Sequence, residues 1–194
     1  MNRLPRVMHL LHDELKNMDV TIISDYSSDL AEALARGRLD LAFMRAEPDY
    51  DLEYNVVDRE PLIVLMPNDH GLAARETIRP QDLVGETFIG SSNMAAVLRA
   101  VTETYLRRSG LDSRLDTSGD NLAMVMSLVA STRGLALMPA YAKNLLPESV
   151  VSRPLEGETP IIEVVVGYSK LNTSPILKLF LSRLPALTAP NQKH

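Results

Sequence analysis

Apolar residues recur along this chain with two alternating periods. Leu4, Val7, Met8, Leu11 and Leu15 lie three and four apart and predict a first helix over about 3–16. Val20-Thr21-Ile22-Ile23 reads as a strand. Leu30, Ala33 and Leu34 predict a helix over 28–36, opened by Ser27 and Ser28 and closed by Gly37. Glycine takes the left-handed conformation at a helix end without steric cost. Leu39–Phe43 is then a short strand that delivers Arg45 to its carboxyl end. Strand, helix and strand at this spacing form a βαβ unit and imply a parallel sheet. Leu52–Val57 reads as an antiparallel edge element. Pro61–Pro67 is an apolar run bounded by prolines, hence a separate buried strand.

Asn68-Asp69-His70-Gly71 is a turn cluster, and a lobe boundary is expected there. Beyond it, Arg79–Leu83 begins a short helix and Thr87–Gly90 a strand that ends in Ser91-Ser92-Asn93. A long helix over about 94–109 carries Met94, Val97, Leu98, Val101 and Tyr105 on one face and ends at Gly110. Asp120-Asn121 caps a further helix with Leu122, Val125, Met126 and Val129 as its apolar set. Gly134 ends that helix, and Leu135–Pro139 is a strand. Ile161–Tyr168 is another strand, followed by a helix over about 174–184 that buries Ile176, Leu177, Phe180 and Leu184. The expected division is 1–67 plus 153–194 for one lobe and 68–152 for the other, with a cleft between them. The tail from Thr188 is polar.

Composition narrows the function. The chain has 194 residues, 45% of them apolar, enough for one large domain or two small lobes. A net charge of −5 with no basic cluster argues against this stretch gripping DNA directly, because neutralising phosphates needs a concentrated basic face. Cysteine is absent, which excludes disulfides and thiolate metal sites and fits a reducing cytoplasm. No apolar run nears the roughly 18–20 residues needed to span a bilayer. No signal-peptide pattern opens the chain. The glycines form no GxGxxG or phosphate-loop pattern, and no cofactor is expected.

Candidate chemistry gathers at strand ends and helix starts. Ser27 stands at a helix N-terminus, where unpaired N–H groups and the positive end of the dipole attract an anion. The competing reading is that Ser27 or Ser28 caps the helix. Tyr26 is a neighbour of that position or a plain surface residue. Arg45 carries a guanidinium that pairs bidentately with a carboxylate, or else forms a surface ion pair with Glu47 or Asp49. Ser91, Ser92, Asn93, Asp120 and Asn121 stand at the corresponding places in the second lobe, with capping as the alternative role. Phe43 and Met138 are apolar candidates, with a core role favoured for both. His9, His12 and Asp13 share a helix face at metal-ligand spacing, but nothing elsewhere completes a set. Neither a nucleophile–base arrangement nor a paired-carboxylate site emerges.

Three blocks carry a resemblance: Ala33-Leu34-Ala35-Arg36-Gly37-Arg38-Leu39-Asp40-Leu41-Ala42, the segment Pro61–His70 ending Met66-Pro67-Asn68-Asp69-His70, and Leu128-Val129-Ala130 through Gly134–Pro139. In this order and spacing the chain resembles the effector-binding domain of a LysR-type transcriptional regulator, over essentially its whole length. The first block is most similar to the branch that senses aromatic carboxylates. The resemblance implies an α/β fold of two Rossmann-like lobes joined by crossover strands, like type 2 periplasmic binding proteins. It implies a small effector in the cleft and no enzymatic activity. Ser27 then matches the small hydroxyl residue that bonds an effector carboxylate, and Arg45 an arginine near the effector. Further expectations are a homodimer through helices about 3–16 and 94–109 and a tetramer for the full-length protein. DNA contact would come only through an N-terminal winged helix-turn-helix that this sequence lacks. The domain's opening strand is also lacking, which is expected to leave neighbouring strands without ladder bonds. A free-standing solute-binding receptor of the same architecture is the alternative, and an enzyme on this fold a remote third.

Overall fold

The computed structural model describes residues 19–91, 96–111 and 117–188. The expected helix over 3–16, with His9, His12 and Asp13, lies outside them, as do Ser92, Asn93 and Met94. In chain order the elements are α1 (Ser27–Ala35), β1 (Ala42–Met44), β2 (Leu52–Pro67), a 3-10 turn (Pro80–Leu83), β3 (Ile89–Ser91), α2 (Ala96–Arg108), β4 (Thr117–Gly119) and α3 (Leu122–Thr132). They continue with β5 (Ala136–Pro139), a second 3-10 turn (Ala140–Asn144), β6 (Val150–Pro154), β7 (Ile161–Ser169) and α4 (Pro175–Thr188). No helix among the described residues is long and apolar enough to cross a membrane.

The chain separates into two compact units. One draws on Met1–Asp58 and Val164–His194, the other on Arg59–Glu163. Both boundaries fall inside a strand, so β2 and β7 each run from one unit into the other. The larger sheet has the order β1-β7-β2-β5, with β6 also on β2; β3 and β4 form a second, two-stranded sheet.

In the first unit β1 pairs antiparallel with β7, Phe43 opposite Val166. Its apolar residues form two clusters. Leu30, Ala31 and Leu34 of α1 pack with Ala42, Met44, Leu52 and Val165, while Phe180 and Leu184 of α4 pack with Val57 and Val166. The helix α1 ends as expected at Gly37, whose φ is +67°. Gly37 N–H donates to Leu34 O and Arg38 N–H to Ala33 O, the double bond pattern that satisfies the last free carbonyls.

Two expectations fail here. Residues 20–23 form no strand; Val20, Ile22 and Ile23 are each 42–53% exposed. Their backbone makes no hydrogen bond to another described residue, and a strand exists only by pairing. The parallel βαβ unit over 20–43 is therefore not formed, and the ladder that holds β1 is antiparallel. Secondly, 52–57 and 61–67 are one sixteen-residue strand, not two elements. Pro61 does not break it because it is exposed, where its missing N–H leaves no buried partner wanting.

The second unit has one continuous core. It joins Leu62–Met66 of β2 to Phe88, Ile89, Leu98, Leu106, Val125, Met126, Val129, Leu135–Met138 and Ile162. The strands β5 and β6 flank β2, both antiparallel to it, and β3 pairs parallel with β4. In α2 the buried line is Leu98, Thr102 and Leu106, while Val97, Val101 and Tyr105 are only half-buried. That is a rotation from the expected face, because Thr102 is inside despite its hydroxyl. The close of α2 repeats that of α1: Gly110 has φ +69°, Gly110 N–H donates to Arg107 O and Leu111 N–H to Leu106 O. The end of α3 is different. Its left-handed residue is Arg133, φ +63°, not Gly134. Gly134 is needed for closeness instead: a Cβ there would stand 3.1 Å from the Ile89 side chain and 3.2 Å from Thr87 O.

Candidate functional site

The helix α1 begins without a side-chain cap. Tyr26 is the N-cap, in extended backbone conformation, and its side chain accepts no cap bond. Leu30 N–H to Tyr26 O, 2.9 Å, is the first bond of the helix. The amides of Ser27, Ser28 and Asp29 thus have no partner among the described residues. Such groups are satisfied by a cap, by water or by a ligand.

Ser27 is the first residue of the helix and does not cap it. Its Oγ accepts the Arg45 N–H at 3.1 Å. This one bond ties the start of α1 to the residue that leaves β1 and brings the two candidate positions together. The Arg45 side chain is half-buried. Its Nε is inaccessible and has no hydrogen-bond partner among the described residues. The ion pair with Glu47 or Asp49 is not formed. A buried guanidinium N–H without an acceptor is costly to maintain.

Glu47 answers to the same surroundings. Burial pushes its carboxyl above the ordinary value, Asp49 adds to the rise, and the Arg45 charge opposes it from beyond contact distance. The loop after β1 is held by Tyr54 of β2, whose hydroxyl donates to Glu47 O at 3.0 Å and accepts Glu47 N–H at 3.3 Å. Burial also raises the Tyr54 hydroxyl. Tyr54 finds room because Gly167 of β7 lies beneath it; a Cβ there would stand 3.1 Å from Tyr54 Cε1 and 3.0 Å from Met44 Sδ. Sequence reasoning missed both residues. Tyr54 and Gly167 are 113 positions apart, and no local signal joins them.

In the second unit Ser91 is the last residue of β3, opposite Gly119 of β4. Asn121 is the N-cap of α3: its Oδ1 accepts Met124 N–H at 2.9 Å. The capping role is realised there and uses that oxygen. Met138 is buried, and Phe43 meets Phe180 edge-on with ring centroids 6.3 Å apart, so both serve the core. His70 closes its own turn, Nδ1 accepting Leu72 N–H while Nε2 lies 3.4 Å from Glu86 Oε2.

These features acquire a context from known proteins. The family described as LysR substrate binding domain matches residues 1–188. The chain belongs to this family. Among curated proteins the LysR domain is similar to the Hca operon transcriptional activator HcaR of Escherichia coli (strain K12), 27% identical over 195 residues, which is 97% of this chain and 66% of HcaR. It is 23% identical over 180 residues to the transcriptional regulator AlsR of Bacillus subtilis, covering 92% of this chain and 60% of that protein. The chain thus spans at most about two thirds of these relatives. Among solved structures it matches the effector-binding domain of QuiR in complex with shikimate, TM-score 0.84, 16% identity, 96% of this chain and 90% of that one. It also matches the BenM effector-binding domain with its effector benzoate, TM-score 0.79, 19% identity, 98% of this chain and 91% of that one. The fold of the LysR domain is accordingly the periplasmic-binding-protein-like fold of effector-binding domains.

Proposed function

We propose that this LysR domain senses a small anionic metabolite for a transcriptional regulator, and that Ser27 and Arg45 receive the anion. The carrying observation is the Arg45 guanidinium: Nε is inaccessible and without an acceptor among the described residues, and Arg45 N–H is bonded to Ser27 at an uncapped helix start. A carboxylate would fill the missing acceptor and meet the open amides of α1 at the same time. Tyr26 is proposed to flank it, with Ser91, Ser92, Asn93 and Asn121 as the second unit's candidates. Asn121 would contribute its amide nitrogen, since its oxygen already caps α3. An aromatic carboxylate is the class to try first, supported by BenM with its effector benzoate and, for cyclic carboxylates, by QuiR in complex with shikimate, both at low identity.

No bond is made or broken in this reading. An effector shifts the equilibrium between arrangements of the regulator only by its differential affinity for them. Operator contact in the cytoplasm, and self-association through helices about 3–16 and 94–109, are proposed for the longer regulator. A LysR domain with net charge −5 and no basic cluster leaves DNA to another segment.

The test is thermal unfolding of the chain with benzoate, shikimate and short aliphatic carboxylates. At a hundredfold excess over Kd a ligand that binds only the folded state adds about 2.7 kcal/mol. The expected result is a saturable rise in Tm, abolished in Arg45→Ala and reduced in Ser27→Ala, each measured against the variant's own unliganded Tm. No rise with any carboxylate would overturn the anion reading and leave the family assignment standing.

A further inference from the structure

The loop from Arg45 to Asp51 joins β1 to β2 and carries one cation and three carboxylates. Asp51 is taken by Lys170, which follows β7. Arg45 pairs with neither Glu47 nor Asp49, although opposite charges two and four positions apart on one loop attract each other. Backbone holds them apart. The Tyr54 hydroxyl donates to Glu47 O at 3.0 Å and accepts Glu47 N–H at 3.3 Å. Tyr50 N–H adds a 3.3 Å bond to the same oxygen. Pro48 comes next and confines Glu47 to extended conformations. Arg45 is anchored elsewhere, through its N–H on Ser27 Oγ at the start of α1. The Tyr54 ring is itself fixed, packed on the cluster of Leu34, Met44 and Val165 and lying over Gly167. Arg45 lowers the Glu47 carboxyl less than burial and Asp49 raise it, as a cation kept at a distance does.

We infer that Tyr54 is a positioning residue for the anion site: its hydroxyl holds the Glu47 backbone, keeps Glu47 from neutralising Arg45, and so leaves the guanidinium free for a ligand. This rests on the reading of Arg45 as the receiver of the anion. The chemistry is competition for one cation. A guanidinium paired with a carboxylate of its own loop must release it before taking a ligand's carboxylate. A tethered competitor acts at high effective concentration, and ligand affinity falls by the fraction of time that the internal pair is formed. A phenolic hydroxyl suits the task because one group both donates and accepts, and so holds both backbone groups of Glu47. Burial raises the Tyr54 hydroxyl above its ordinary value, which keeps the donated proton in place. Phenylalanine at this position would keep the packing over Gly167 and lose both bonds.

The test is Tyr54→Phe in the 194-residue chain, with two readouts. The first needs no ligand. Carbon-13 NMR follows the Glu47 side-chain carboxyl through pH, its signal assigned by its loss in Glu47→Gln. In the wild type it titrates above 4.5. In Tyr54→Phe it is expected below 4.5, because Arg45 now adjoins it. Gly167→Ala, whose Cβ would stand 3.1 Å from Tyr54 Cε1, displaces the ring from beneath and is expected to move the titration the same way. The second readout is the affinity for benzoate, expected to weaken about tenfold in Tyr54→Phe. Adding Glu47→Gln to Tyr54→Phe is expected to restore it, since the competitor is gone although the two bonds are still missing. A structural role alone predicts an unmoved Glu47 titration and no restoration, and either result overturns the inference. So does a wild-type Glu47 that already titrates below 4.5. If the wild type binds no benzoate, the anion reading falls, and the Glu47 titration still decides whether Tyr54 separates the two charges.

Discussion

The two units bury their apolar residues in different ways. In the second unit β2 is flanked by β5 and β6, and one core runs from Leu62 to Ile162. In the first, the clusters around Leu34 and Phe180 are separate, β1 is an edge among the described residues, and three large apolar side chains at 20–23 face outward. The difference tracks how the central strand is enclosed. In the second unit β2 has β5 and β6 beside it and its apolar residues 62–66 are all buried. In the first unit residues 20–23 and the outer side of β1 have no strand beside them among the described residues, and the side chains at 20–23 are exposed. The same contrast reaches the ionisable groups. Asp82 in the second unit is bound by Arg79 and Arg75 and lies well below the usual carboxylate range. Glu47 in the first is lifted by burial and by Asp49, and the Arg45 charge offsets only part of that rise.

The largest test of this contrast removes one phenylalanine from each unit. Phe88 and Phe180 are equally buried, at 2% exposure. Truncation to alanine costs about 3–5 kcal/mol in a closed core. Phe88→Ala is expected near the top of that range and Phe180→Ala near the bottom, since Phe180 also lines an open groove. Guanidinium unfolding with amide exchange read separately in each unit checks this, and equal costs would break the comparison. Gly119→Ala comes next. Its Cβ would lie 2.8 Å from Val125 N and 2.7 Å from Val125 Cγ2, so α3 must move, at about 2–3 kcal/mol in the same unfolding assay.

Gly37→Ala and Gly110→Ala form a matched pair. Both glycines close a helix at positive φ, and neither Cβ would meet an atom within 4 Å. Each substitution should lower stability by about 1 kcal/mol, from backbone conformation alone. A much larger loss at Gly37 would show that the first unit is closer to its unfolding limit.

The smallest effects are expected in pH dependence, with opposite signs in the two units. Asp82 is lowered from 3.8 to about 2, chiefly by its hydrogen bond from Arg79. Its contribution is complete above about pH 4 and disappears as pH falls through about 2, so the Tm gap between wild type and Asp82→Asn should close over that interval. Glu47 is raised above 4.5, so its charge opposes folding once pH exceeds that value. Glu47→Gln should therefore raise Tm at neutral pH and leave it unchanged at pH values well below 4.5.

Much was legible from local pattern. The helix α1, its Gly37 terminus, the Arg45 position after β1, the Asn121 cap and the final helix all follow from periodicity and end signals within a few residues. A helix closes its own hydrogen bonds, so its sequence contains most of its reasons. Resemblance of three short blocks pointed to the LysR family for the same cause, since each block is a local turn or strand end. What periodicity misread depended on distant partners. Val20–Ile23 has the composition of a strand but has no paired neighbour among the described residues. Pro61 looked like a boundary and is an exposed residue within a strand that continues from one unit into the other. Gly134 looked like the left-handed end of α3, yet Arg133 holds that conformation and Gly134 is required by Ile89.

The sequence by itself determined the helices of the described residues, the glycine ends of α1 and α2 and the family, because these rest on contacts between near neighbours. Only the tertiary structure decided that Ser27 bonds to Arg45, that Tyr54 over Gly167 holds the loop after β1, and that β1 pairs with β7 rather than with residues 20–23. Those depend on which strands lie side by side, and pairing between segments more than a hundred residues apart leaves no periodic trace in either one.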